Sequence, residues 1–171
     1  MTDKSLRSLC AKALKLGAGE AKIIKASSIK TGAWVRNKCQ FGCSGFGESL
    51  TCPPYSPTPE ETQKVLDFYK KAILIHCQSG TKRDISEIVV EIEKEAFLSG
   101  FYKAFGMGAG PCRFCSSCNL KKWCLHPEET RPSMEACGID VYKTSRNNGF
   151  TLEVVTSTRC KANYFGLVLI E

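Results

Sequence analysis

The sequence predicts an α+β chain in mixed helix and strand layers, with about four strands in a mixed sheet and a cysteine-rich lobe on one side. Three observations predict it. Apolar residues recur at helical spacing near the start of the chain and again between Ile85 and Phe97. Short runs rich in β-branched residues lie between the helical patterns. Two long stretches rich in cysteine, glycine and proline interrupt both, at 39–57 and 106–138, and exclude a long regular element there.

Leu6, Leu9, Ala13 and Leu16 mark one face of a helix over 5–16, stopped by Gly17 and Gly19, with a strand at Ala21 to Ala26 after it. Cys10 lies beside that apolar face. From Cys39 to Pro59 the chain carries four prolines and reads as an ordered loop. Thr58-Pro59-Glu60-Glu61 supplies an N-cap, a proline at the first helical position and acids in the first turn, so a helix should run to about Tyr69. A strand from Ala72 to Cys77 follows. Ile85, Ile88, Val89, Ile92, Ala96 and Phe97 predict a second long helix, extending towards Phe105 past Gly100. Arg131-Pro132-Ser133-Met134-Glu135 reads as a helix start that places Cys137 a turn later, and Ile139 to Asn147 as a helix closed by Asn148-Gly149. Strands near Thr151 to Thr156 and Tyr164 to Ile170 complete a single domain over 1–171.

The chain holds 171 residues, of which eleven are cysteine. No N-terminal stretch joins a basic region to a long apolar segment and a cleavage site, and the apolar runs fall far short of the ~20 residues that span a bilayer. The expectation is a soluble, cytoplasmic protein whose thiols are kept reduced, which favours metal ligation or redox chemistry over a disulfide framework. The formal charge is +7. A cubane held by four thiolates carries about −2, so two of them would bring the sum to about +3. Lysines and arginines are scattered rather than gathered in a stripe, which argues against nucleic-acid binding.

Cys112-x2-Cys115-x2-Cys118 is the strongest signal, followed by Cys124 and Cys137. Three thiolates at this spacing can wrap one corner of a cubane while the backbone amides between them point at its sulfurs. The run is similar to the first three ligands of a bacterial ferredoxin motif, but the next cysteine follows five residues later and precedes Leu125, which leaves the fourth ligand open. The cysteine followed by proline is Cys52, in Cys39-x3-Cys43-x8-Cys52-Pro53-Pro54, so ligands could cross between the two loops. Cys39, Cys43, Cys52, Cys112, Cys115, Cys118, Cys124 and Cys137 make eight, the number two [4Fe-4S] clusters require. Cys10, Cys77 and Cys160 have ordinary places on a helix face, a buried strand and a polar connection.

Zinc is the competing metal, because Cys112 and Cys115 with Cys118, Cys124 or His126 would satisfy a tetrahedral site. Three cysteines in one seven-residue run suit a cluster better than the two separated knuckles usual for zinc. His126 reads as a surface or supporting residue and His76 as a packed core histidine. Gly106, Gly108 and Gly110 leave amides free to bond cluster sulfurs, and no Lys-Ser/Thr pair follows to make a phosphate loop. Arg113, Lys121, Lys122 and Arg131 would offset an anionic cluster or receive an acidic partner. Tyr102, Lys103, Arg131, Ser133 and Glu135 are candidate polar groups of the site, none of which is singled out as a functional residue.

Cys-Pro-Pro-Tyr-Ser-Pro-Thr-Pro-Glu-Glu at 52–61, Gly-Pro-Cys at 110–112 and Arg-Pro-Ser-Met-Glu-Ala-Cys-Gly-Ile-Asp-Val at 131–141 resemble the predicted metal-binding proteins of domain of unknown function 2284, over roughly Leu6 to Ile170. The resemblance implies metal binding through the same eight cysteines and members in anaerobic bacteria and archaea, and supplies no substrate. The expected function is an iron–sulfur protein with two [4Fe-4S] clusters, serving as an electron carrier or redox subunit that docks a protein partner with an acidic surface. The alternatives are a cluster-dependent enzyme with one open iron and a zinc-stabilised scaffold or binding module. Two histidines without a recognisable partner arrangement leave little for hydrolytic or nucleophilic catalysis.

Overall fold

The computed structural model describes residues 3–157 and 159–171. Helix α1 (Asp3–Lys15) leads into strand β1 (Glu20–Lys25), then α2 (Ala33–Gly42), α3 (Pro59–Leu66), β2 (Lys71–Gln78), α4 (Ile85–Leu98), β3 (Phe105–Met107), α5 (Val141–Asn147) and β4 (Asn163–Leu169). The four strands form one sheet in the order β1-β2-β4-β3. Its pairings are antiparallel throughout, so the sheet is not mixed as the sequence reading had it, while the α+β class stands.

Alternation along the two central strands divides the core. Ile73, Ile75 and Cys77 of β2, with Val168 of β4 and Ile170 beyond it, face α1 and α4, where they meet Leu6, Leu9, Ala13, Ile88 and Ile92. Ala72 and Leu74, with Phe165, Leu167 and Leu169, face the other way onto Leu66, Met107, Met134, Cys137 and Ile139. Both faces of β2 are covered, which is why it reads as a continuous apolar run. Gly166 shows how closely α4 lies on the sheet: a Cβ there would stand 2.5 Å from Val89 Cγ2.

The predicted N-cap of α3 is present. Thr58 accepts from Glu61 N–H while Glu61 reaches back to the Thr58 amide, and Asp84 and Asp140 cap α4 and α5. Among the described residues no helix is long and apolar enough to cross a membrane.

Four local expectations fail, each for a physical reason. Residues 33–42 form a helix the sequence reading left unassigned; it has no side-chain cap and buries only Val35, so no run of buried apolar residues marks it. Residues 151–156 form no strand despite their β-branched residues; Leu152 is buried and its carbonyl accepts from Arg146 Nε and Nη2 instead of from a neighbouring strand. The edge position beside β4 is taken by β3, whose Gly106 fits under Val89. Helix α4 stops at Leu98, capped at Ser99, short of Phe105, because Gly100 turns the chain at φ +92°. Residues 131–138 make turns rather than a helix, tied by Gly108 N–H to the Pro132 carbonyl and Met134 N–H to the Gly108 carbonyl.

Candidate metal centre

The cysteine-bearing segments lie side by side at one end of the sheet. Helix α2 carries Cys39 in its last turn and ends at Gly42, with Cys43 as its C-cap. Arg36, one turn before Cys39, donates through Nη1 to Ser56 Oγ at 3.1 Å and to the carbonyls of Pro57 at 3.0 Å and Ala136 at 2.9 Å. Ser56 Oγ also donates to the Ala136 carbonyl at 2.6 Å. One guanidinium therefore clamps α2, the proline-rich loop and the 131–138 turns together, and the Cys39 thiol lies 3.9 Å from the Glu135 carbonyl.

Cys39, Cys43 and Cys52 form a first group. The Cys43 and Cys52 sulfurs both lie 3.6 Å from the point that a Gly45 side chain would occupy, and that point is 3.1 Å from Pro111 of the second loop. Gly45 N–H is 3.4 Å from Cys43 Sγ. Burial, and then the neighbouring Cys43, pushes the Cys39 and Cys52 thiols up. The Cys52 sulfur is eased the other way by Thr51, Ser49 and the backbone of Cys112.

Cys112, Cys115, Cys118 and Cys124 form a second group. They line one cavity of about 260 Å³ together with Gly45, Leu50 and His126. Partial desolvation pushes the Cys115 thiol up, followed by its three neighbours Cys112, Cys118 and Cys124. A cation among these thiols would favour their thiolate forms. Backbone amides approach the sulfurs, Leu50 N–H at 3.5 Å from Cys118 Sγ and His126 N–H at 3.4 Å from Cys124 Sγ, and Thr130 Oγ1 stands 3.3 Å from Cys124 Sγ. These are contacts of the kind that tune a sulfur-ligated metal centre. Among the described residues no group of three or more His, Cys, Asp or Glu side chains stands close enough together to hold a metal ion.

Arg131 anchors this loop rather than the cavity. Its Nε and Nη2 bond Glu93 of α4 at 2.6 and 2.7 Å, and Glu93 also accepts from Gly106 N–H at 2.7 Å. Arg113, Lys121 and Lys122 are exposed around the loop, and so are Phe114, Trp123 and Leu125. A larger cavity of about 530 Å³ opens on the far side of Pro111 and Cys112, between the start of α4 and Arg131.

Seven of the eight cysteines named from the sequence thus fall into two adjoining groups. Cys137 lies apart, fully buried in the core with Met134 and Ile139, and burial pushes its thiol up to about 12. The charged groups acting on it are Arg36 and Glu135. Cys10 packs against the α1 core, Cys77 is buried in β2 and Cys160 is exposed. His126 stacks on Phe114 and pairs with Glu129, and His76 is half-buried, stacked on Phe165 and bonded to Asn163 at 2.9 Å. Sequence reasoning set no role for two residues that the fold brings to the first group, Arg36 and Glu135. Both lie far from its cysteines or in a helix without a pattern, and only the tertiary contact reveals them.

A family model described as predicted metal-binding protein (DUF2284) matches residues 22–170. The chain belongs to that family. No curated protein and no solved structure matches it.

Proposed function

We propose that this member of a predicted metal-binding family holds iron–sulfur clusters, one in each cysteine group, and serves as an electron carrier or redox subunit in the cytoplasm. The observation that carries the reading is the second group: four thiols around one cavity of about 260 Å³, with amide donors at two of the sulfurs. Such a group supplies one-electron chemistry when bound, and the chain's own residues set its conditions. Leu50 and His126 amides favour the reduced, more negative state by bonding the sulfurs. The point beside Gly45 that lies 3.6 Å from the Cys43 and Cys52 sulfurs is 3.1 Å from Pro111 of the second loop, so the two groups adjoin and transfer between them is part of the proposal. The exposed rim of Arg113, Lys121 and Lys122 around Phe114 and Trp123 fits a protein partner with an acidic face.

A second reading, an enzyme whose cluster has an iron open to substrate, is favoured by the first group, which brings three thiols together rather than four. Anaerobic purification with iron, zinc and acid-labile sulfide analysis and an absorption spectrum tests the proposal. A brown protein bleached by dithionite is the expected result. Zinc without sulfide would replace it with the scaffold reading.

A further inference from the structure

We propose that the cavity of about 530 Å³ at the start of α4 binds a small organic acid, a carboxylate on a compact apolar body, with Arg113 taking the carboxylate. The inference goes beyond the electron-carrier reading and does not depend on which metal the cysteines hold.

Two observations carry it. The first is a cavity of ligand size with fixed walls, within the range of roughly 300–1,000 Å³ usual for small-molecule sites. Gly108 packs so closely on α4 that a Cβ there would collide with Ser86, and Ser86 Oγ bonds both the carbonyl and the N–H of Ala109 at 3.3 Å. The loop that leads to Arg113 is thereby fastened to the helix. Arg131, on another wall, is held by Glu93 through two nitrogens. Buried Ile85 and the half-exposed rings of Phe114 and Tyr164 supply apolar lining. Aromatic rings of this kind suit the body of a small ligand.

The second observation is which charges around the cavity are already engaged. All three acids are: Asp84 accepts from Ser86 N–H at 2.8 Å, Glu87 pairs with Arg83 at 3.1 Å, and Glu129 pairs with His126 at 3.3 Å. Among the charged side chains that line the cavity, Arg113 alone has no hydrogen-bond or ion-pair partner among the described residues. One unengaged guanidinium beside engaged acids selects an anion, and its fork matches a carboxylate through two parallel bonds. A doubly charged phosphate fits less well, because Asp84 already occupies the Ser86 amide at the helix start and sets a negative charge there. Pro111, Cys112, Phe114 and Thr130 line both this cavity and that of the second cysteine group, so a bound acid lies against the wall that carries Cys112.

Isothermal titration calorimetry on the full chain, purified anaerobically and with its metal content measured in each sample, tests the site with benzoate as the probe. The wild type is expected to bind one benzoate per chain, and to bind benzamide, the neutral compound of the same shape, about tenfold more weakly. Arg113→Gln should weaken benzoate about tenfold and leave benzamide unchanged, so that retained benzamide binding shows the variant to be folded. Tyr164→Ala should weaken both. Lys121→Gln, on the exposed rim but outside the cavity, should keep the wild-type affinity for benzoate. No saturable benzoate binding in the wild type, equal affinity for benzoate and benzamide, or wild-type affinity in Arg113→Gln would overturn the inference. Inorganic phosphate that displaces benzoate at equal concentration would overturn the assignment to a carboxylate. The metal found in the same samples judges the iron–sulfur reading separately.

Discussion

Cys112, Cys115, Cys118 and Cys124 stand within 13 consecutive residues of one irregular segment, whereas Cys39, Cys43 and Cys52 are spread over a helix end and a proline-rich loop. The first arrangement brings its thiols together by local spacing. The second depends on distant parts of the chain: Arg36 must reach Ser56, Pro57 and Ala136 before its thiols have a fixed setting. The difference predicts opposite dependences. The 112–124 group should rely on its metal for local order, because the segment has no helix or strand and buries little apolar surface. The 39–52 group should rely on the fold around it.

The largest expected effect breaks the second group. Cys115→Ala should lose about one cluster's worth of metal and leave residues 112–130 open to proteolysis at Lys121 and Lys122, while Cys10→Ala loses none. Equal metal in both variants would remove the distinction between ligand and core cysteines. Next is the anchor of the same loop. Glu93→Ala strands the Arg131 guanidinium and frees the Gly106 amide, and should cost about 3 kcal/mol in chemical denaturation.

Arg36→Ala sharpens the comparison from the other side. It removes a charged donor shared by three segments and should cost about 2 kcal/mol, with metal lost from the first group only. Loss from both groups would mean that they form one structural unit.

What could be read from the sequence follows the same division. The Cys112-x2-Cys115-x2-Cys118 spacing and the Thr58 cap are local chemistry, and they stand in the structure where their residues place them. The apolar periodicity of Leu6 to Ala13 and of Ile85 to Ala96 likewise marks the helices that cover one face of the sheet. Helix α2 carries no such mark, since Trp34 and Phe41 are exposed and only Val35 is buried; its order comes from Arg36 and from its neighbours. Thr151 to Thr156 misled for the converse reason. Strand propensity there is real, but the edge it would occupy is filled by three residues around Gly106 that let α4 approach. Glu135 carries no local signal, being one acid among many until the fold brings its backbone carbonyl to Cys39 and seals its Oε2 from solvent.

The smallest effect concerns a thiol outside both groups. Cys160 is exposed, and hydrogen bonds from Ser157 and Thr156 hold its thiol down to about 7. Its thiolate fraction falls below that pH, so alkylation of the metal-loaded protein should slow about tenfold per unit as pH drops below about 7 and level off above it. Burial pushes Cys10 and Cys77 up, and both should stay unreactive under the same conditions. Rapid alkylation of a ligand cysteine at neutral pH would show that its group is not holding metal.

Metal and acid-labile sulfide analysis of anaerobically purified wild-type protein tests the central claim most directly. Two cubane clusters predict about eight irons and about eight sulfides per chain, with a visible absorption band bleached by dithionite. Zinc in place of iron, with no sulfide, would contradict the redox account.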